Sequence, residues 1–83
     1  MTSQIPTAAR PVKRSVTLHG HRTSISLEQP FWEAFRRLAQ SEGKGFNALA
    51  AEIDDARGDM GLATAIRLHV LDAALNGRIS AEA

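Results

Sequence analysis

The 83-residue chain contains no cysteine and no tyrosine. Without cysteine it has neither a disulfide staple nor a thiolate metal site, and a reducing compartment suits it. No apolar run approaches the ~18 residues of a membrane-spanning helix, and the N-terminus has no signal-peptide core. A cytoplasmic protein away from membranes is expected. Catalytic signatures are missing too: there is no glycine-rich phosphate loop, and no Ser, His and carboxylate stand in a recognisable frame. Neither an enzyme nor a cofactor is expected. A chain this short makes one small domain and buries only ~60–65% of its unfolded surface, so association with a second copy would ease its stability.

The net charge of +1 conceals an asymmetry. Residues 1–22 carry Arg10, Lys13, Arg14 and Arg22 with no acid, whereas the remaining 61 residues hold six Lys or Arg against nine Asp or Glu. A basic arm on a mildly acidic body is the footprint of a localised nucleic-acid surface.

Within Arg22 to Trp32, Thr23, Ile25 and Leu27 fall on one face of an extended strand, and Arg22, Ser24 and Ser26 on the other. Pro30 then suits the first turn of a helix, where its missing N–H has no partner to lose. A second alternating segment, Val12–Leu18, precedes it. If Gly20 and His21 form a type II′ turn, Val16 pairs with Ile25 and Leu18 with Thr23. Ser15 with Ser26, Thr17 with Ser24 and His19 with Arg22 then share the other face, and only Arg14 with Leu27 mixes polarity.

Apolar periodicity predicts a helix over Gln29–Ser41, with Phe31, Trp32, Phe35, Leu38 and Ala39 inward. Gly43 and Gly45 mark a tight corner. A second helix is predicted from Phe46 with Leu49, Ala50 and Ile53 inside, then a polar loop over Asp54–Gly61. The third helix, Leu62–Leu75, is apolar nearly all round through Leu62, Ile66, Leu68, Val70, Leu71 and Leu75. A chain this small cannot cover all of that alone, which points again to a dimer. A flexible tail is expected over residues 1–11, the domain over 12–76 and a second tail over 77–83.

Several residues admit a sharper and a blander role. His19 and His21 form a His-x-His pair with no third ligand nearby, so no metal is expected. His69 is expected to pack or hydrogen-bond at an interface, and Trp32 to anchor apolar contacts rather than stack on a base. Asp54, Asp55 and Asp59 lack the spacing and closing Glu of a calcium loop and read as solvated. Glu52 and Arg67 are expected to form an ion pair between helices.

The segments Lys13–Thr17, His21–Glu28, Phe31-Trp32, Asn47–Leu49, Glu52–Asp54 and Ala65–Arg67 resemble, in order and spacing, the ribbon-helix-helix domains of bacterial DNA-binding proteins. They resemble most a variant with an added N-terminal strand and a third helix. The resemblance spans roughly residues 12–75. It implies an intertwined α+β homodimer in which one strand per subunit pairs antiparallel and lies in the DNA major groove. Arg22, Ser24 and Ser26 would then face the bases, with Lys13 and Arg14 adding charge. The start of the second helix, with Asn47 and Lys44, would hold a phosphate. The dimer interface would comprise Ile25, Leu27, Trp32, Phe35, Leu49, Ile53, Ile66 and Val70.

Two departures from that pattern are visible. The expected hairpin would make the dimer's sheet four-stranded, ~14 Å between outer strand axes at ~4.8 Å spacing, which is too broad to lie flat in a groove ~12 Å wide. Either Val12–Leu18 peels away or the surface serves another purpose. Gly45 also stands where a Ser or Thr cap is usual, so no hydroxyl is offered there. The leading expectation is a small DNA-binding regulator; its rival is a protein-interaction module, an adaptor or antitoxin-like partner, on the same fold.

Overall fold

The computed structural model describes residues 10–79. The N-terminal tail, over residues 1–9, and the last four residues of the C-terminal tail lie outside that range. Two antiparallel strands, β1 (Pro11–Leu18) and β2 (His21–Glu28), lead into α1 (Gln29–Ser41), α2 (Phe46–Ala56) and α3 (Leu62–Leu75). The strands form one hairpin, and the helices pack on one of its faces. β1 begins at Pro11, one residue inside the expected tail, where a proline is tolerated as the first residue of a strand.

The expected hairpin forms, but in a different register. Val12 pairs with Leu27, Arg14 with Ile25, Val16 with Thr23 and Leu18 with His21. The turn is His19-Gly20 rather than Gly20-His21. Both central residues have positive φ, 50° and 84°, as a type I′ turn requires. Each β1 residue therefore meets a partner two positions earlier than expected. A shift of two leaves every side chain on its intended face. Val16, Ile25 and Leu27 are buried against the helices, and Val12 and Leu18 are half-buried beside them.

Trp32, Phe35, Leu38 and Ala39 of α1 meet Leu49, Ala50 and Ile53 of α2 and Ala65, Ile66, Val70 and Ala73 of α3. Phe46 joins the aromatic residues, stacked on Trp32 at 5.8 Å and edge-on to Phe35 at 5.0 Å. The indole N–H of Trp32 donates to the Val12 carbonyl at 2.9 Å, so the one polar atom of this ring is satisfied where it touches β1. Beyond α1, the Gly43 N–H donates to the Gln40 carbonyl and the Lys44 N–H to the Ala39 carbonyl. This Schellman closure needs positive φ at Gly43, which stands at 68°.

Three expectations need correcting. The loop predicted from Asp54 begins later, because α2 continues through Ala56. Two carboxylates in a last helical turn oppose its dipole, but Arg57 meets Asp54 at 2.6 Å and His19 meets Asp55 at 2.9 Å. Glu52 does not reach Arg67; it pairs with Lys44 at 2.7 Å, and Arg67 pairs with Glu28 at 2.9 Å. Finally, the expected tail is docked over Arg78 and Ile79. Ile79 packs against the core and Arg78 pairs with Asp72 at 2.9 Å.

Leu27 is fully buried, so Leu27→Ala is expected to lower unfolding stability by about 2–5 kcal/mol in a urea titration. Glu28 supplies a second test. Its hydrogen bond from Arg67 holds its carboxyl below the ordinary value of 4.5. A depressed carboxylate stabilises fully above the ordinary value, and that contribution is lost as pH falls through the lowered one. Glu28→Gln should therefore flatten the melting-temperature profile on the acid side of pH 4.5; an unchanged acid slope would remove the Arg67 contact from the account.

Candidate nucleic-acid interface

Strand alternation places Lys13, Ser15 and Thr17 of β1 and Arg22, Ser24 and Ser26 of β2 on the face turned away from the helices. Register brings them together as cross-strand pairs: Lys13 opposite Ser26, Ser15 opposite Ser24 and Thr17 opposite Arg22. Lys13, Ser15, Arg22 and Ser24 are exposed, and Thr17 and Ser26 are half-buried. The face is hydroxyl-rich with one cation on each strand. Glu28, the acid at its end, is held by two hydrogen bonds from Arg67, at 2.9 and 3.1 Å.

The carboxylates of the helical layer are largely engaged with cations of the same layer. Lys44 pairs with Glu52 and Glu42, Arg57 with Asp54, and Arg78 with Asp72 and Glu42. Among the described residues, Lys13 and Arg22 have no such partner. The two cations of the outer sheet face are therefore without a carboxylate partner among the described residues.

Four of the expected DNA contacts, Lys13, Arg22, Ser24 and Ser26, stand together here. Arg14 does not. It shares the helix-side parity of Val12 and Val16, lies 5.8 Å over the Trp32 ring and donates to the Gln29 Oε1 at 3.4 Å. Its guanidinium covers the edge of the aromatic cluster, as the odd step from Lys13 dictates.

The start of α2 is also occupied by structural work. Asn47 accepts the Thr17 N–H through Oδ1 at 3.0 Å, which seals the outer edge of β1 against the helix. The hydrogen bond to Glu52 is the main cause that raises the Lys44 ammonium above its ordinary value, with Glu42 adding to it. Lys44 is thus already neutralised by two carboxylates. Gly45 caps α2 with extended backbone and no side-chain hydrogen bond. A phosphate there would meet Glu42 and Glu52 beside the cation.

All eight residues expected at the dimer interface, Ile25, Leu27, Trp32, Phe35, Leu49, Ile53, Ile66 and Val70, are buried within the single chain. Side chains covered by their own fold need no second copy to cover them. Among the described residues, the large apolar ones left exposed are Met60, Leu68, Leu71 and Leu75, the last three at 48%, 51% and 77%. Leu68, Leu71 and Leu75 lie on the outer stripe of α3, and Met60 in the turn that precedes it. His69 on its inner side keeps a buried Nε2 without a hydrogen-bond partner. His19 is tied to Asp55, and among the described residues no three His, Cys, Asp or Glu approach closely enough to share a metal ion. Nor, among them, is any helix long and apolar enough to cross a membrane.

Ser15 and Thr17 were not expected at the site. The expected hairpin already set them on the face of Ser24 and Arg22, so their pairing was the signal that could have found them.

Comparison with known proteins agrees with this architecture. A search of the curated proteins gave no match. Among solved structures, the chain is similar to an uncharacterized protein from Bordetella pertussis Tohama I. The two share 29% identity and a TM-score of 0.68 over 90% of this chain. The match spans 66% of the length of that chain, just under two thirds. A family model described as a ribbon-helix-helix domain matches residues 11–74, from the first residue of β1 almost to the end of α3. The chain belongs to the ribbon-helix-helix domain family.

Proposed function

We propose that this protein binds double-stranded DNA through the outer face of its hairpin and acts as a small transcriptional regulator. The observation that carries the reading is the sheet face on which Lys13 and Arg22 stand among hydroxyls while the acids around it are paired elsewhere. Arginine donates a bidentate pair to guanine in the major groove, and serine hydroxyls add contacts of low discrimination. The family supports the reading, since its members are commonly DNA-binding regulators or antitoxins. No cofactor takes part in this scheme. A homodimer belongs to the proposal, with the exposed Leu68, Leu71 and Leu75 of α3 as the surface a second copy would cover.

The rival reading, a protein-interaction module, draws on that same apolar stripe. The two are separated by binding a labelled pool of genomic duplex fragments at ~50 and ~200 mM salt, where phosphate contacts give a log–log slope of about −0.9 each. Sites that stay enriched at the higher salt are expected. Arg22→Ala should weaken binding to them with the melting temperature unchanged; equal affinity would remove the hairpin face from the mechanism. In sedimentation, the chain should run as a dimer and Leu71→Asp as a monomer. A monomeric native chain would end the homodimer proposal.

A further inference from the structure

β1 stands between β2 and the start of α2. Asn47, in the first turn of α2, accepts the Thr17 N–H at 3.0 Å, and β1 pairs along its other side with β2. We propose that β1 is the phosphate-holding strand of this protein. Lys13, with the hydroxyls of Ser15 and Thr17, grips the DNA backbone beside the groove, while Arg22 and Ser24 of β2 meet the bases. This division between the strands rests on the DNA-binding reading above and specifies how the duplex is held.

β1 keeps its place when a second copy joins. Val16 is fully buried in the core, so the strand cannot peel away without opening it. Its outer edge is also spent. Pro11 has no N–H, the Thr17 N–H goes to Asn47, and the Val12 carbonyl accepts the Trp32 indole at 2.9 Å. A counterpart strand therefore adds along β2, which is the two-chain ribbon that the family resemblance implies. The sheet then runs β1, β2 and, in the second copy, β2 and β1.

The spacing of such a sheet separates the two kinds of strand. At ~4.8 Å per step, the β2 axes lie ~2.4 Å from the two-fold axis and the β1 axes ~7 Å from it. A major groove ~12 Å wide ends ~6 Å from its centre. β2 thus falls inside the groove and β1 over its walls, where the phosphates stand.

The start of α2, expected to hold a phosphate, is poorly equipped for it. Gly45 offers no hydroxyl, and the Asn47 Oδ1 is taken by Thr17. Lys44 is held by Glu52 at 2.7 Å and by Glu42 at 3.4 Å. Lys13 has the opposite character, being exposed on the outer face with no carboxylate partner among the described residues. An ammonium on a flexible stem suits a phosphate, which calls for charge more than for a fixed direction. Ser15, opposite Ser24, and Thr17, opposite Arg22, add hydroxyl donors to the same row. Phosphate contacts position a protein on the duplex and carry no sequence information, whereas base contacts specify. Variants of β1 and β2 should therefore differ in kind.

The test uses the full chain and two duplexes, one recovered from the genomic pool and one of unrelated sequence. Binding is read by fluorescence anisotropy across a salt series. Lys13→Ala, Lys13→Arg, Lys44→Ala and Arg22→Ala are compared, each checked by thermal melting. Lys13→Ala should lower the log–log salt slope by about 0.9 for each chain bound and weaken both duplexes by the same factor. Lys13→Arg should keep the native slope, and Lys44→Ala should leave slope and affinity unchanged. Arg22→Ala should instead narrow the preference between the two duplexes. A native slope in Lys13→Ala would overturn the inference, and a lowered slope in Lys44→Ala would return the phosphate to α2. Loss of preference in Lys13→Ala, as in Arg22→Ala, would also overturn it, because β1 would then be reading bases. In each of these cases DNA binding itself stands. A native chain that binds no duplex removes the DNA-binding reading and this inference with it.

Discussion

Everything in this fold depends on the parity of one hairpin. A strand shows alternate residues to opposite faces, so a two-residue turn between β1 and β2 commits every side chain of both strands at once. His19 and Gly20 make that turn with positive φ at both positions. The commitment sends Val16, Ile25 and Leu27 to the helices and Lys13, Ser15, Arg22 and Ser24 to the outside. Core and candidate site are thus two sides of a single constraint. A turn one residue longer in one strand would place lysine in the core and valine in water.

This explains why parity was legible in the amino-acid sequence and register was not. Apolar alternation distinguishes the faces, but it is blind to a slide of two residues. The choice between pairing Val16 with Ile25 and pairing it with Thr23 lay in the turn alone. Glycine at the first central position argued for Gly20-His21. The chain instead places His19 in the left-handed region, which a non-glycine residue enters uncommonly, histidine more readily than most. Two long-range contacts reinforce the observed register: His19 reaches Asp55, and Trp32 reaches the Val12 carbonyl. Neither could be read along the chain.

The helices were easier, because their limits are local. Pro30 at the start of α1, the Gly43 closure and the apolar stripes brought α1 and α3 to their observed ends. What periodicity does not reveal is who covers a stripe. Trp32, Phe35 and Ile66 looked like an interface between two chains and are the interior of one. The added β1 accounts for the difference: it supplies Val16 and, at its margin, Val12 and Leu18 as extra cover over α1 and α2. Ion pairs failed for the same reason. Glu52 had two cations within reach in principle, and the packing of α3 against β2 gave Arg67 to Glu28 instead.

Arg67 is where stability and recognition meet. Its pair with Glu28 ties α3 to the end of β2, and its position over Phe31, 5.8 Å from the ring, shields the guanidinium on one side. The pair also offsets the acid at the end of the outer sheet face. Without that cation, Glu28 would stand within the same row as Ser24 and Ser26 and oppose a phosphate chain. A partly exposed salt bridge adds little to stability, so its main consequence here is electrostatic: it offsets the Glu28 carboxylate at the end of the face that carries Lys13 and Arg22. A basic, hydroxyl-bearing face of this kind is suited to the anionic backbone that the proposed function calls for.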